Sequence, residues 1–123
     1  MTRLDLKSAT VDQLVARFVE IAVAHGQALF GGDVSEANRL YDPLQAVVSA
    51  LKSRDGDQRR ALVPLFQHPD FHVRVKAAKA TFALEPQAAR AVLEAVAAAK
   101  VPVDSGEAGM CLWNLDRGVY KPS

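Results

Sequence analysis

The stretch "ALVPLFQHPDFHVRVKAAKATFAL", residues 61–84, decides how the rest of the chain is read. Ala61, Leu62, Leu65 and Phe66 recur at helical spacing, and Pro64 kinks the short helix they make, which is expected from Gln58 to about Gln67. "HPD" then breaks the chain, because the residue before a proline disfavours helical geometry. A further helix is expected from about Phe71 to Leu84. Its Ala77, Ala78 and Ala80 are small enough to let neighbouring helices approach closely. The unit is therefore helix, turn, helix. One such unit cannot bury its apolar face alone, and about three must stack to close a core.

The flanking sequence supplies more helices of the same kind. Upstream, Leu14, Phe18, Ile21, Ala22, His25 and Leu29 form one stripe, which predicts a helix from Val11 to about Phe30. Thr10 and Gln13 have capping-box spacing at its start, and Gly31 and Gly32 end it. Asp33 or Ser35 then caps a second helix with Ala37, Leu40, Tyr41, Leu44, Val47, Val48 and Leu51 inward. Pro43 falls inside that stripe, in phase, so the reading is a kinked helix; a restart capped by Asp42 is the alternative. Downstream, Pro86 opens a helix to about Lys100, with Ala89, Val92, Leu93, Val96 and Ala97 on its stripe. Asp104 or Ser105 caps a last helix, which has Glu107 in its first turn and carries Met110, Cys111, Leu112, Trp113 and Leu115 before Gly118 stops it. No run alternates as a strand does. Residues 58–84 and 87–118 each read as helix, turn, helix, a repeat of pattern more than of letters.

Composition bounds what the chain does. It has 123 residues, half of them apolar, with a formal charge of +1. That suits one folded domain and gives no global attraction to nucleic acid or to a membrane surface. No run approaches the roughly 20 apolar residues that span a bilayer. "MTRLDLKSAT" has no apolar leader core, so a cytoplasmic location is expected. The single cysteine, Cys111, excludes an internal disulfide and a multi-cysteine zinc site, and is read as a small buried hydrophobe.

Residues 61–84 resemble a HEAT repeat. Pro64, Asp70, Val73, Arg74, Ala77 and Ala78 stand where that repeat has its proline, turn aspartate, Val-Arg opening and small residues; Thr81 stands where leucine is commoner. "GDQRRAL" (56–62), "VRVKAAKAT" (73–81) and "GMCLW" (109–113) are similar to the bacterial domain of unknown function 2019 family. The resemblance implies an all-α, right-handed α-α superhelix of the HEAT/ARM-like kind, with about six helices in three stacked antiparallel hairpins. It implies a single domain over 1–123, with 1–9 an extension and 119–123 a tail. It brings no activity and no catalytic residue. Some related helical proteins are immunity factors against bacterial toxins, but no residue here assigns that role.

Candidate sites follow from the charged and aromatic positions. His68 and His72 are four apart, but Pro69 lies between them, so they are read as turn histidines and no metal or cofactor is expected. His25 is read as a core histidine. No catalytic motif is recognisable, and no enzyme is expected. Arg59 and Arg60 are read as exposed beside Asp55 and Asp57. With Val73, Ala77, Thr81 and Leu84 inward, His72, Val75, Lys76, Lys79 and Phe82 gather on the other flank, and Val75, Lys79 and Phe82 make one stripe. That flank, extended by Trp113, is the expected partner-binding face of a non-catalytic interaction module; the alternative is that Phe82 packs against a neighbouring helix and the lysines keep the face wet. It suits an acidic protein partner with an apolar anchor, or a second copy of the chain. For Trp113 itself the favoured reading is a plug for the open end of the stack, since no following repeat covers the last helix. The run His72, Arg74, Lys76, Lys79 motivates nucleic-acid binding as the alternative, against which the near-zero net charge weighs.

Overall fold

A computed structural model describes residues 4–123, and among them every regular element is helical. There are five α-helices, α1 (Val11–Phe30), α2 (Val34–Lys52), α3 (Phe71–Thr81), α4 (Pro86–Ala98) and α5 (Asp104–Asp116), and one 3-10 helix (Gln58–Gln67). The chain divides into two compact units, the first ending at Ala61 and the second running from Leu62 to Ser123. The expected extension over 1–9 begins in residues that lie outside the described ones.

In the first unit α1 packs on α2. The capping box forms: Thr10 Oγ1 accepts from the Gln13 N–H at 3.1 Å, and Gln13 Oε1 accepts from the Thr10 N–H at 2.9 Å. The buried face of α1 is Leu14, Phe18, Ile21, Ala22, His25 and Ala28, so Ala28 replaces the expected Leu29. Gly32, at φ 76°, makes the left-handed turn that lets Asp33 follow at once, and Asp33 Oδ1 caps α2 by accepting from the Glu36 N–H. α2 runs through Pro43 as one element and buries Ala37, Leu40, Leu44, Val47 and Leu51. Tyr41, expected inward, is half exposed. Arg54 ties the preceding segment down, its Nη2 donating to the carbonyls of Leu6 at 2.9 Å and Ala9 at 2.7 Å. Arg59 is buried, not exposed as expected, because its guanidinium grips the Asp57 carboxylate with two bonds, at 2.9 and 2.7 Å.

The segment with Pro64 is a 3-10 helix, since proline denies the run one of its N–H donors. In the second unit the turn before α3 is built by its own polar groups. His68 Nδ1 accepts from the Asp70 N–H, and Asp70 Oδ1 accepts from the N–H groups of His72 and Val73. α3 ends at Thr81, earlier than expected, where the Thr81 carbonyl accepts from both the Leu84 and Glu85 N–H groups. α4 packs on both α3 and α5, and α3 also touches α5. Their common core is Val75, Ala78, Ala89, Leu93, Val96, Ala108 and Cys111. Ser105 does not cap α5. Its hydroxyl donates to the Val96 carbonyl and accepts from the Val101 N–H, pinning the α4–α5 connection. No helix among the described residues is long and apolar enough to cross a membrane.

Candidate functional site

The polar faces of α3 and α5 meet in one cluster. On α3, His72, Lys76 and Lys79 stand at steps of four and three, so they share a face. On α5, Asp104 and Glu107 are three apart in the first turn and share one too. His72 Nδ1 lies 2.7 Å from Asp104 Oδ1 and 3.8 Å from Glu107 Oε2. Lys76 Nζ donates to Glu107 Oε1 at 2.7 Å, and Lys79 Nζ stands 3.9 Å from the same oxygen. Burial alone pushes the Glu107 carboxyl up, but Lys76, through charge and hydrogen bond, and then Lys79 and His72 outweigh it and hold the group below the usual glutamate range. Its Oε2 is shielded from solvent and has no hydrogen-bond partner. The buried Cys111 thiol, one turn along, is pushed up chiefly by burial.

Beside the cluster is an open pocket of about 320 Å³ lined by Lys79, Glu107, Met110, Cys111, Asn114 and Tyr120. On α5, Met110, which lines the pocket, and Trp113 are 53% and 55% exposed and three residues apart. The Arg117 guanidinium sits over the Trp113 ring, 4.5 Å from its centre.

The expected exposed flank of α3 is therefore a different object. Val75 is fully buried in the core, His72 and Lys76 are buried in the ionic cluster, and only Lys79 keeps about a third of its side chain in water. Phe82 is half-buried against the core and not a free anchor. The reason is that α3 is packed by two helices, so it has no single inward stripe and no clean outward one. Trp113 does not plug an apolar end; it stays at the surface with Arg117 over it. His68 stays in its turn, bonded to Asp70, and takes no part in the cluster. Asp104 and Glu107 were legible only as a cap candidate and a first-turn acid. Their signal is an acidic pair at i, i+3 matching a basic set at i, i+4, i+7, and nothing in the letters says that these two faces meet. His72, Asp104 and Glu107 each offer one possible ligand atom, and these atoms all lie within 4.8 Å of one another.

Comparison places this arrangement among known proteins. The crystal structure of the protein RPA1889 from Rhodopseudomonas palustris CGA009 has a TM-score of 0.91 to this chain and 45% sequence identity, over 98% of this chain and 100% of that one. No curated protein matches the chain. Residues 12–116 match the family described as Domain of unknown function (DUF2019). With that match covering most of its length, the chain belongs to the DUF2019 family.

Proposed function

We propose that this chain is a non-catalytic interaction module, docking an apolar, acid-bearing segment of a partner protein on the outer face of α5. One observation carries the reading: Met110 and Trp113 are more than half exposed, three residues apart on one helix, and Met110 lines a pocket. Large apolar side chains held out in water as a pair are what interface anchors look like, tryptophan above all. Arg117, against the indole, supplies the positive charge for an acidic group. Lys76 and Lys79 contribute less attraction than their number suggests, because Glu107 already compensates them. The run behind the nucleic-acid alternative is likewise engaged internally: His72 by Asp104, Arg74 by Phe71 and the His68 carbonyl, Lys76 by Glu107.

The HEAT-like stack belongs to the same proposal. It is supported by the Asp70-capped turn inside a helix–turn–helix unit and by the pairing of α3 with α4 and α4 with α5. A reducing, cytoplasmic setting is supported by the one cysteine being unpaired and in the core.

Trp113 is the only tryptophan, so its fluorescence reports this face directly. The free chain is expected to emit as a water-exposed indole, and to shift blue when a captured partner is added back. The double variant Met110→Ala, Trp113→Ala is expected to keep its helical circular dichroism and lose the partner. Retention of every partner at equal affinity shows that the face is wrong. Binding to DNA or RNA that weakens steeply with salt favours the nucleic-acid reading instead.

A further inference from the structure

Three side chains from two helices meet with the donor types of a metal centre, and one of them ends in an oxygen with nothing to bond. Glu107 Oε2 is closed off from water and unpartnered, an arrangement that is costly for a carboxylate oxygen and that a cation relieves. It faces His72 Nδ1 at 3.8 Å, and the same nitrogen faces Asp104 Oδ1 at 2.7 Å. Donors around a tetrahedral ion, each about 2.1 Å from it, stand about 3.4 Å apart. One separation here is shorter than that and the other longer, so small side-chain rotations, Asp104 outward and Glu107 inward, admit an ion. Lys76 holds Glu107 by its other oxygen, Oε1, which leaves Oε2 turned to His72. That is the service an outer-shell partner gives a ligating carboxylate. Of the three residues, Glu107 also lines the pocket beside the cluster.

We propose that His72 Nδ1, Asp104 Oδ1 and Glu107 Oε2 form a binding site for a first-row divalent transition cation of the zinc or cobalt kind. An imidazole with two carboxylates suits these ions, whereas calcium and magnesium prefer oxygen ligands throughout. The ion takes the Nδ1 lone pair, and the neutral ring then carries its one proton on Nε2. Lys76 and Lys79 offset the carboxylate charge and hold the affinity below that of a site without lysines.

The test is a titration of the untagged full-length chain with cobalt(II), followed by calorimetry, visible absorption and histidine NMR, with magnesium as comparison. One cobalt ion per chain is expected, with the His72 ring signals broadened and magnesium failing to compete. Glu107→Gln and Asp104→Asn are each expected to weaken binding about tenfold or more. His68→Ala is expected to leave it unchanged. Circular dichroism checks that the variants fold; should Glu107→Gln fail, Asp104→Asn, at the end of its helix, decides. No binding up to about 1 mM cobalt overturns the proposal, as does wild-type affinity in a folded carboxylate variant, or a loss seen only in His68→Ala.

Discussion

Val103 has a backbone that its side chain disfavours. At φ 67° and ψ −58°, with the Asp104 N–H bonded to the Pro102 carbonyl at 2.7 Å, it is the centre of a γ-turn of the rare positive-φ kind. A β-branched residue there is strained, by about 1–3 kcal/mol. The turn stands immediately before Asp104 and starts α5, so it sets where the acidic face of that helix begins. Glycine in its place removes the clash and gives back about 0.5–1 kcal/mol through the entropy of the unfolded chain. The Val103 side chain is 40% exposed, so little packing is lost. Val103→Gly is therefore expected to stabilise the protein by about 1 kcal/mol, seen as a raised urea midpoint with an unchanged slope. A lowered midpoint would mean that the valine packs more than it strains. No signal in "VPVDSG" announces this turn. The letters suggest a loop and a cap, and the cap reading of Ser105 fails because its hydroxyl is engaged by Val96 and Val101.

At the scale of elements, what the sequence makes legible is what local chemistry decides. The Thr10–Gln13 box forms, Asp33 and not Ser35 caps α2, and Asp70, read only as a turn aspartate, caps α3; each depends on residues within three positions of one another. The α1 and α2 stripes are read nearly correctly because each of those helices buries one face. α3 is misread because α4 and α5 both pack on it, and its partition into an inward and an outward flank has no single answer. The ionic cluster goes unread because its halves are far apart in the chain: Glu107 is 31 positions from Lys76. The Asp70 cap carries a prediction of its own. One carboxylate oxygen takes two N–H groups, from His72 at 2.8 Å and Val73 at 3.1 Å, at the end of the helix that presents His72. Asp70→Ala is expected to cost about 1 kcal/mol of stability, and Asp70→Ser a fraction of that. Equal stability of the alanine and serine variants in thermal melts would show that the cap contributes nothing.

For the whole molecule, the decisive fact is how little bulky apolar material the second of two compact units has in its shared helical core. The second unit rests on a short set of mostly small side chains, in which Val75, Ala78, Ala89, Ala108 and Cys111 leave Leu93 as the largest fully buried member. α4 presents that leucine while packing on both of its neighbours, so its removal is felt by all three helices. A cavity there collapses poorly, because alanines at the wall have no side chain with which to fill it. Leu93→Ala is therefore expected to cost about 2–5 kcal/mol. Set against the roughly 5–15 kcal/mol that holds a domain of this size together, that is a large fraction. The measurements are a guanidinium melt and amide hydrogen exchange. The melt is expected to shift to lower denaturant, and exchange is expected to quicken across α3, α4 and α5, whose amides depend on the same cluster. The conservative Leu93→Met is expected to cost less than about 1.5 kcal/mol, since it keeps the volume. A Leu93→Ala loss below about 1 kcal/mol, or faster exchange confined to α4, would mean that the three helices do not share this core. Asp104 and Glu107 would then be held to His72 and Lys76 by their hydrogen bonds alone, and the cluster between α3 and α5 would lack the rigid support that a binding site needs.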